Sequence, residues 1–320
     1  MTKPLNWGIL GAAKFAYEHM GPAIHAARGA RLVALARGSD DKFAAFSDKF
    51  GDLRHHASYD ALLADGGIDA VYIPLPNSLH VEWGLKALAA GKHVLIEKPV
   101  AMKASEINAL IEARDLTGLM ATEAYMIVHH PQWQRAKALL AEGAVGTLRH
   151  VSCAFSFDNQ DPNNIRNKSD MGGGTLPDIG VYALGCARFA TGAEFEDVTA
   201  QIEWEHGVDT FSRVQARISG AEYSGYVSTR LHAFQEVRFH GDAGVMRLSA
   251  PFNPNVYGMA QIELQQGGET RFERFPAANH YVNQVEAFCA TARDGAAYPW
   301  SLEDAKGTQA AIDAVYAAAG

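Results

Sequence analysis

The sequence predicts a doubly wound α/β domain with a parallel sheet, followed by an α+β domain on a largely antiparallel open sheet. Three observations predict this. Strand-like and helix-like segments alternate through the first 123 residues, the grammar of parallel strands joined by crossover helices. A turn carrying Gly11 joins the first strand to the first helix. Beyond residue 124, strand-like runs follow one another with no helix between them, the pattern of antiparallel pairing. The chain of 320 residues exceeds one typical domain, and the expected partition is 1–123 for dinucleotide binding and 124–320 for substrate binding and oligomerisation.

In the first part, short apolar strands are expected at 5–10, 31–36, 69–74, 93–97 and 119–123. Helices are expected at 14–28, interrupted by Gly21-Pro22, and at 40–50, 78–90 and 104–117. The second part opens with a helix at 131–141 and a strand at 148–157, and a loop rich in Gly, Asn and Asp then leads to Gly172. Strands follow at 195–205, 211–218, 223–230, 235–240, 245–249, 256–264 and 270–275, and helices at 281–293 and 302–318 close the chain. Two helices are too few to cover both faces of that second sheet. An open apolar face is therefore expected, and with it a homodimer or higher homo-oligomer.

Bulk properties exclude several classes. Asp and Glu number 36 against 28 Lys and Arg, a net charge of −8 that suits neither nucleic acid nor an anionic membrane. Cys153, Cys186 and Cys289 are odd in number and far apart, which fits a reducing cytoplasm rather than a disulfide framework. His55-His56 and His129-His130 are adjacent pairs without the spacing that puts two ligands on one helix face, so no metal site is expected. Apolar runs are short and no basic-then-apolar leader precedes the first strand, so the expectation is a soluble cytoplasmic protein.

In Gly8-Ile9-Leu10-Gly11-Ala12-Ala13-Lys14-Phe15-Ala16, the three small positions of a dinucleotide turn are filled by Gly11, Ala13 and Ala16. Gly11 makes the bend, Ala13 lets backbone approach the pyrophosphate, and Ala16 permits close helix–strand packing. Amides of Ala12, Ala13, Lys14 and Phe15 at the helix start would hold the phosphates. The second strand runs into Ala36-Arg37-Gly38-Ser39, with Asp40 and Asp41 only beyond it. An acidic residue at the strand end would accept from a ribose hydroxyl. Arg37 and Ser39 instead offer a charge and a hydroxyl to a 2′-phosphate, which favours NADP over NAD.

Further on stand Tyr72-Ile73-Pro74-Leu75-Pro76-Asn77-Ser78-Leu79-His80 and Gly91-Lys92-His93-Val94-Leu95-Ile96-Glu97-Lys98-Pro99. A third block runs from Asp161-Pro162-Asn163-Asn164-Ile165-Arg166 to Gly172-Gly173-Gly174-Thr175-Leu176-Pro177-Asp178-Ile179-Gly180-Val181-Tyr182. A strand ending in Pro-x-Pro-Asn-x-x-His, a strand ending in Glu-Lys-Pro, and Asp-x-Gly-x-Tyr after three glycines together resemble the glucose–fructose oxidoreductase and inositol dehydrogenase family. Tyr182 and the Asn-Ile-Arg segment resemble most the branch holding dimeric dihydrodiol dehydrogenase and NADP-dependent D-xylose dehydrogenase. Periplasmic glucose–fructose oxidoreductase differs in carrying an N-terminal arm and signal.

The resemblance implies an oxidoreductase in which Lys98 and Tyr182 contact the reacting hydroxyl and Asp178 binds or orients the substrate. Asn77 and His80 would border the nicotinamide half of the cofactor, Pro74, Glu97 and Lys98 are further expected cofactor contacts with Glu97 positioning Lys98, and Arg166 would lie on the substrate side. Oxidation of an alcohol needs a hydride acceptor against the carbinol carbon and a base for the hydroxyl proton. Either Tyr182, made acidic by the Lys98 ammonium, or Lys98 itself carries that proton. Pro99 is expected to follow a cis bond that positions Lys98. The leading expectation is a sugar or polyol dehydrogenase. The alternatives are a reductase of a keto sugar or dicarbonyl, and a non-catalytic NADP-bound sensor, which has no need to keep Lys98, Asp178 and Tyr182 together.

Overall fold

The computed structural model describes residues 3–254 and 256–319, which fall into two compact units. The first comprises residues 1–126 and 279–305, the second 127–278 and 306–320.

The first unit holds a six-stranded parallel sheet: β1 (Leu5–Leu10), β2 (Ala30–Ala36), β3 (Arg54–His56), β4 (Ala70–Ile73), β5 (His93–Ile96) and β6 (Ala121–Glu123). Its order is β3-β2-β1-β4-β5-β6, so the direction of winding reverses between β1 and β4. In open α/β sheets, ligands bind beyond the carboxyl ends of the strands at such a reversal. Strand alternation feeds two cores. Trp7, Ile9, Tyr72 and Leu95 enter one, while Leu10, Val71, Ile73, Val94 and Ile96 enter the other.

A π-helical turn (Ala16–Met20) leads into α1 (Gly21–Ala26), where one continuous helix with a break was expected. α2 (Asp40–Phe50), α4 (His80–Ala89) and α5 (Ile107–Thr117) lie where patterning put them. β3 and α3 (Tyr59–Leu63) were not anticipated, because both are too short to show a period. α8 (His280–Asp294) returns to this unit: Val285, Phe288 and Cys289 join the core of Trp7, and the Phe288 ring lies 4.9 Å from that of Trp7.

The second unit contains α6 (Pro131–Ala141), α7 (Val181–Thr191), most of α9 (Leu302–Ala319) and eight strands. These are β7 (Leu148–Asp158), β8 (Phe195–Glu205), β9 (Val208–Ile218), β10 (Ala221–Ser228), β11 (Arg230–Gly241), β12 (Gly244–Leu248), β13 (Gln261–Gln266) and β14 (Glu269–Arg274). The order is β14-β13-β12-β11-β7-β10-β9-β8, antiparallel throughout except for the central parallel pair β7 and β10. The strand expected at 256–264 forms only from Gln261, and the runs at 223–230 and 235–240 become β10 and one long β11.

One face of this sheet is exposed and, where an apolar face was expected, it is mixed: exposed Phe234 and Phe272 and the stacked Phe211 and Tyr226 rings lie among charged side chains. Along β9, Val214, Ala216 and Ile218 point inward while Arg213, Gln215 and Arg217 alternate outward. Arg247 bridges Glu236 (2.6 Å) and Glu263 (3.2 Å) across neighbouring strands on the same face. No described helix is long and apolar enough to cross a membrane, and the described residues contain no group of three or more metal-ligating side chains.

Candidate active site

β1 ends at Leu10, and Gly11 takes φ +112°, where a side chain is strained. The Gly11 N–H donates to the Ala36 carbonyl (3.1 Å) and its own carbonyl accepts from Ala13 N–H (2.9 Å). A Cβ on Gly11 would lie 3.1 Å from Leu75 Cδ2, so β1, β2 and the loop after β4 converge on one atom-sized gap. Ala16 is fully buried against the helix–strand contact. Phe15 packs edge-on against Tyr281 (5.7 Å), whereas the Lys14 side chain is 85% exposed and reaches Glu18 (3.7 Å).

Arg37 follows β2 with φ +59°, its N–H donating to the His56 carbonyl (2.9 Å) and its guanidinium lying 5.1 Å from the Tyr59 ring centroid. Ser39 caps α2, its hydroxyl oxygen accepting from Lys42 N–H (3.4 Å). That leaves the hydroxyl proton available to a ligand. Gly38 packs so closely on the turn that a Cβ there would lie 2.9 Å from Ala12 Cβ.

Beyond β4 and β5, Pro74, Asn77 and Lys98 are half-buried. Tyr72 hydroxyl donates to Glu97 (2.6 Å), and the other Glu97 oxygen accepts from Lys98 N–H (3.1 Å). Glu97 is thus an anchor for the peptide that carries Lys98. The Lys98–Pro99 bond is cis. His80 was expected beside the nicotinamide, but it is fully buried, and its two ring nitrogens lie 2.8 Å from the carbonyls of Pro99 and Leu75. It ties the β4 and β5 loops together instead of facing a ligand. Burial lowers its pKa, against the pull of the two carbonyls. Below this turn, Glu123 accepts from Val100 N–H (3.0 Å) and Trp300 Nε1–H (2.9 Å). Its burial pushes the carboxyl pKa up to about 7.

In the second unit Gly173 and Gly174 are packing requirements, while Gly172 takes φ +74°. A Cβ on Gly173 would meet the carbonyls of Arg166, Ile165 and Lys168 at 2.6–2.7 Å. Gly174 (φ +125°) presses against the Asp209 carboxylate. Asp209 then accepts from Leu176 N–H (2.7 Å) and Tyr316 hydroxyl (2.8 Å), which fixes the start of the next helix. That start is a π-helical turn (Leu176–Gly180) carrying Asp178, and it runs directly into α7 carrying Tyr182. Every residue from Val181 to Ala190 is buried, so α7 cannot rotate without exposing core.

Arg166 Nε donates to Asp178 at 2.5 Å, and the Asp178 charge raises the Arg166 pKa further, with a smaller contribution from Tyr182. The Tyr182 ring lies 5.9 Å from Phe155 and 5.5 Å from Phe252. Tyr257 stands edge-on to Phe155 (5.9 Å), its phenol pushed up first by burial and then by Asp178. The second unit thus gathers Arg166, Asp178 and Tyr182 against an aromatic wall. Phe252 gave no sequence signal and Tyr257 fell in a strand expected at 256–264 that forms only from Gln261, while Asp209 and Glu123 have roles that depend on distant partners.

The oxidoreductase-family model with an NAD-binding Rossmann fold matches residues 5–125, and the GFO/IDH/MocA C-terminal domain matches residues 133–247. An uncharacterized oxidoreductase of Rhizobium meliloti is 39% identical over 97% of this chain and 96% of its own. This chain belongs to the GFO/IDH/MocA oxidoreductase family. As a member of that family it is an NAD(P)-dependent oxidoreductase. The family also includes the NADP-dependent D-xylose 1-dehydrogenase of Haloferax volcanii, 32% identical over 98% of this chain and 97% of its own. Among solved structures, a 3-ketoreductase from Actinomadura kijaniata with NADP and TDP-benzene has a TM-score of 0.90 and 28% identity, covering 99% of this chain and 98% of its own. A lysine-to-alanine and a tyrosine-to-phenylalanine variant of that ketoreductase superpose with TM-scores of 0.87 and 0.90, and the two altered positions lie 84 residues apart.

Proposed function

We propose that this oxidoreductase uses NADP and transfers a hydride between the nicotinamide and a sugar-like carbon bearing a hydroxyl or ketone. The observation that carries the reading is the pair Lys98 and Tyr182, separated by the same 84 residues as the lysine and tyrosine altered in the ketoreductase. The Gly11 bend, which has no room for a side chain, and the exposed Arg37 fit a phosphorylated dinucleotide. NADP, when bound, supplies or accepts the hydride.

Tyr182 gives its phenolic proton to the substrate oxygen in reduction and takes it back in oxidation. The Lys98 ammonium favours negative charge on that oxygen and on the phenolate. Asp178, oriented by Arg166, accepts hydrogen bonds from substrate hydroxyls, and half-buried Tyr257, backed by the buried ring of Phe155, suits the apolar face of a sugar ring. Two copies pair through the open face of the second sheet, where exposed Phe234 and Phe272 lie among charged side chains.

Absorbance of the reduced nicotinamide tests the reading in both directions, with NADP and aldoses or polyols, and with NADPH and keto sugars or dicarbonyls. Turnover with at least one sugar-like compound is expected. Tight NADP binding with no turnover on any of them would instead support the sensor. Arg37→Ala should weaken NADP by about 10- to 100-fold, the worth of charge-assisted hydrogen bonds, and leave NAD within about twofold. Equal losses would refute the 2′-phosphate assignment.

A further inference from the structure

Arg37 is a long, exposed side chain, and a freely rotating guanidinium loses up to about 2 kcal/mol of rotamer entropy when a ligand fixes it. In this fold it is already placed. Its left-handed backbone, held by the hydrogen bond to His56, turns the side chain over the face of Tyr59. Tyr59 in turn is held by its helix cap and by a neighbouring ring. Ser58 caps the short helix that carries it, accepting from Ala61 N–H at 3.0 Å. Its ring stands edge-on to Trp83 at 4.9 Å. Its hydroxyl lies 3.5 Å from where a Cβ on Gly11 would be, which puts the ring between the pyrophosphate turn and Arg37.

Among the described residues no acidic side chain competes for the guanidinium, so the aromatic face is its partner. The surrounding rim does not attract anions in general, because Asp40 and Asp41 open α2 directly after Ser39. Discrimination between a 2′-phosphate and a 2′-hydroxyl therefore depends on where Arg37 is held.

We infer that Tyr59 is a specificity-determining positioning residue, which selects NADP over NAD by stacking under Arg37 and pre-placing its guanidinium beside the 2′-phosphate. This rests on the proposed role of Arg37, and the experiment separates the two. Dissociation constants for NADP and NAD are measured by calorimetry on the full-length protein and on Tyr59→Phe, Tyr59→Leu, Arg37→Ala and the Arg37→Ala/Tyr59→Leu double variant. Tyr59→Phe keeps the ring and should keep the NADP-to-NAD preference. Tyr59→Leu should lower it by roughly two- to fivefold, the range of an exposed cation–π contact. In the Arg37→Ala background the same substitution should no longer move the ratio, a non-additivity that a purely structural role does not produce. Should Tyr59→Leu fail to fold, Tyr59→His and Tyr59→Trp replace it, with the preference expected to fall for His and to hold or rise for Trp. A ratio that stays flat across the ring series, or that falls equally with and without Arg37, overturns the inference alone. A wild-type protein with no preference for NADP overturns the 2′-phosphate reading and this inference with it.

Discussion

At the scale of single residues, Lys98 and Glu123 lie at the ends of the neighbouring strands β5 and β6 and answer to different physics. Lys98 is half-buried at the carboxyl end of a parallel strand, with its peptide N–H pinned by Glu97. Lys98→Ala should cut turnover by about 100-fold or more and leave NADP affinity within about threefold, read from steady-state kinetics beside cofactor titration. A proportional loss of both would mean that Lys98 serves binding rather than chemistry. Glu123 is buried, and its pKa rises from 4.5 to about 7. The fold therefore prefers the protonated carboxyl. Its stabilising contribution is complete below about pH 4.5 and is lost as pH rises through about 7, a swing on the order of 3 kcal/mol. Glu123→Gln should flatten the dependence of melting temperature on pH between 5 and 8, and an unchanged slope would assign it to other groups. The sequence displays Lys98 within a motif. Glu123 looks like any strand-end glutamate until Trp300, nearly two hundred residues away, is seen to donate to it.

At the scale of elements, the segment from Gly172 to Tyr182 is held in place by a carboxylate that no local pattern reveals. Asp209 at the start of β9 receives Leu176 N–H and Tyr316 hydroxyl, and its backbone carbonyl receives Thr175 hydroxyl (3.0 Å). Asp209→Ala would leave the buried Leu176 N–H and the half-buried Tyr316 hydroxyl without their acceptor, with Ser212 hydroxyl a third donor at 3.5 Å, and a loss of about 2–4 kcal/mol is expected in urea unfolding. Because the helix start would shift with it, turnover should also fall while NADP affinity is kept. Long periodic elements such as α2, α6 and β8 were legible to the residue, since each shows several turns or alternations. β3 and α3 were not, and their omission hid Tyr59 as well as the backbone partner of Arg37. The parallel pairing of β7 with β10 was equally hidden, because pairing direction depends on the chain's path between strands rather than on strand composition.

At the scale of the whole molecule, the exposed sheet face should govern assembly. Its Glu236–Arg247–Glu263 ladder and nearby Arg213, beside exposed Phe234 and Phe272, would make association sensitive to charge as well as to apolar burial. Sedimentation equilibrium should show a dimer that weakens in Arg213→Glu or at high salt, and a monomer at every concentration would remove the proposed pairing. The motifs at Gly11, Lys98 and Tyr182, together with the two-part organisation, could be read from residue order because each rests on local geometry: a bend, a strand end, a helix start. The assignment of residues 279–305 to the first unit could not be read that way, nor could the burial of His80 behind two loops, the grip of Glu123 on the Val100 turn or that of Asp209 on the Leu176 helix start. Those outcomes are set by partners far apart in the chain, and burial, hydrogen bonding and pKa arise only once tertiary packing brings such partners together.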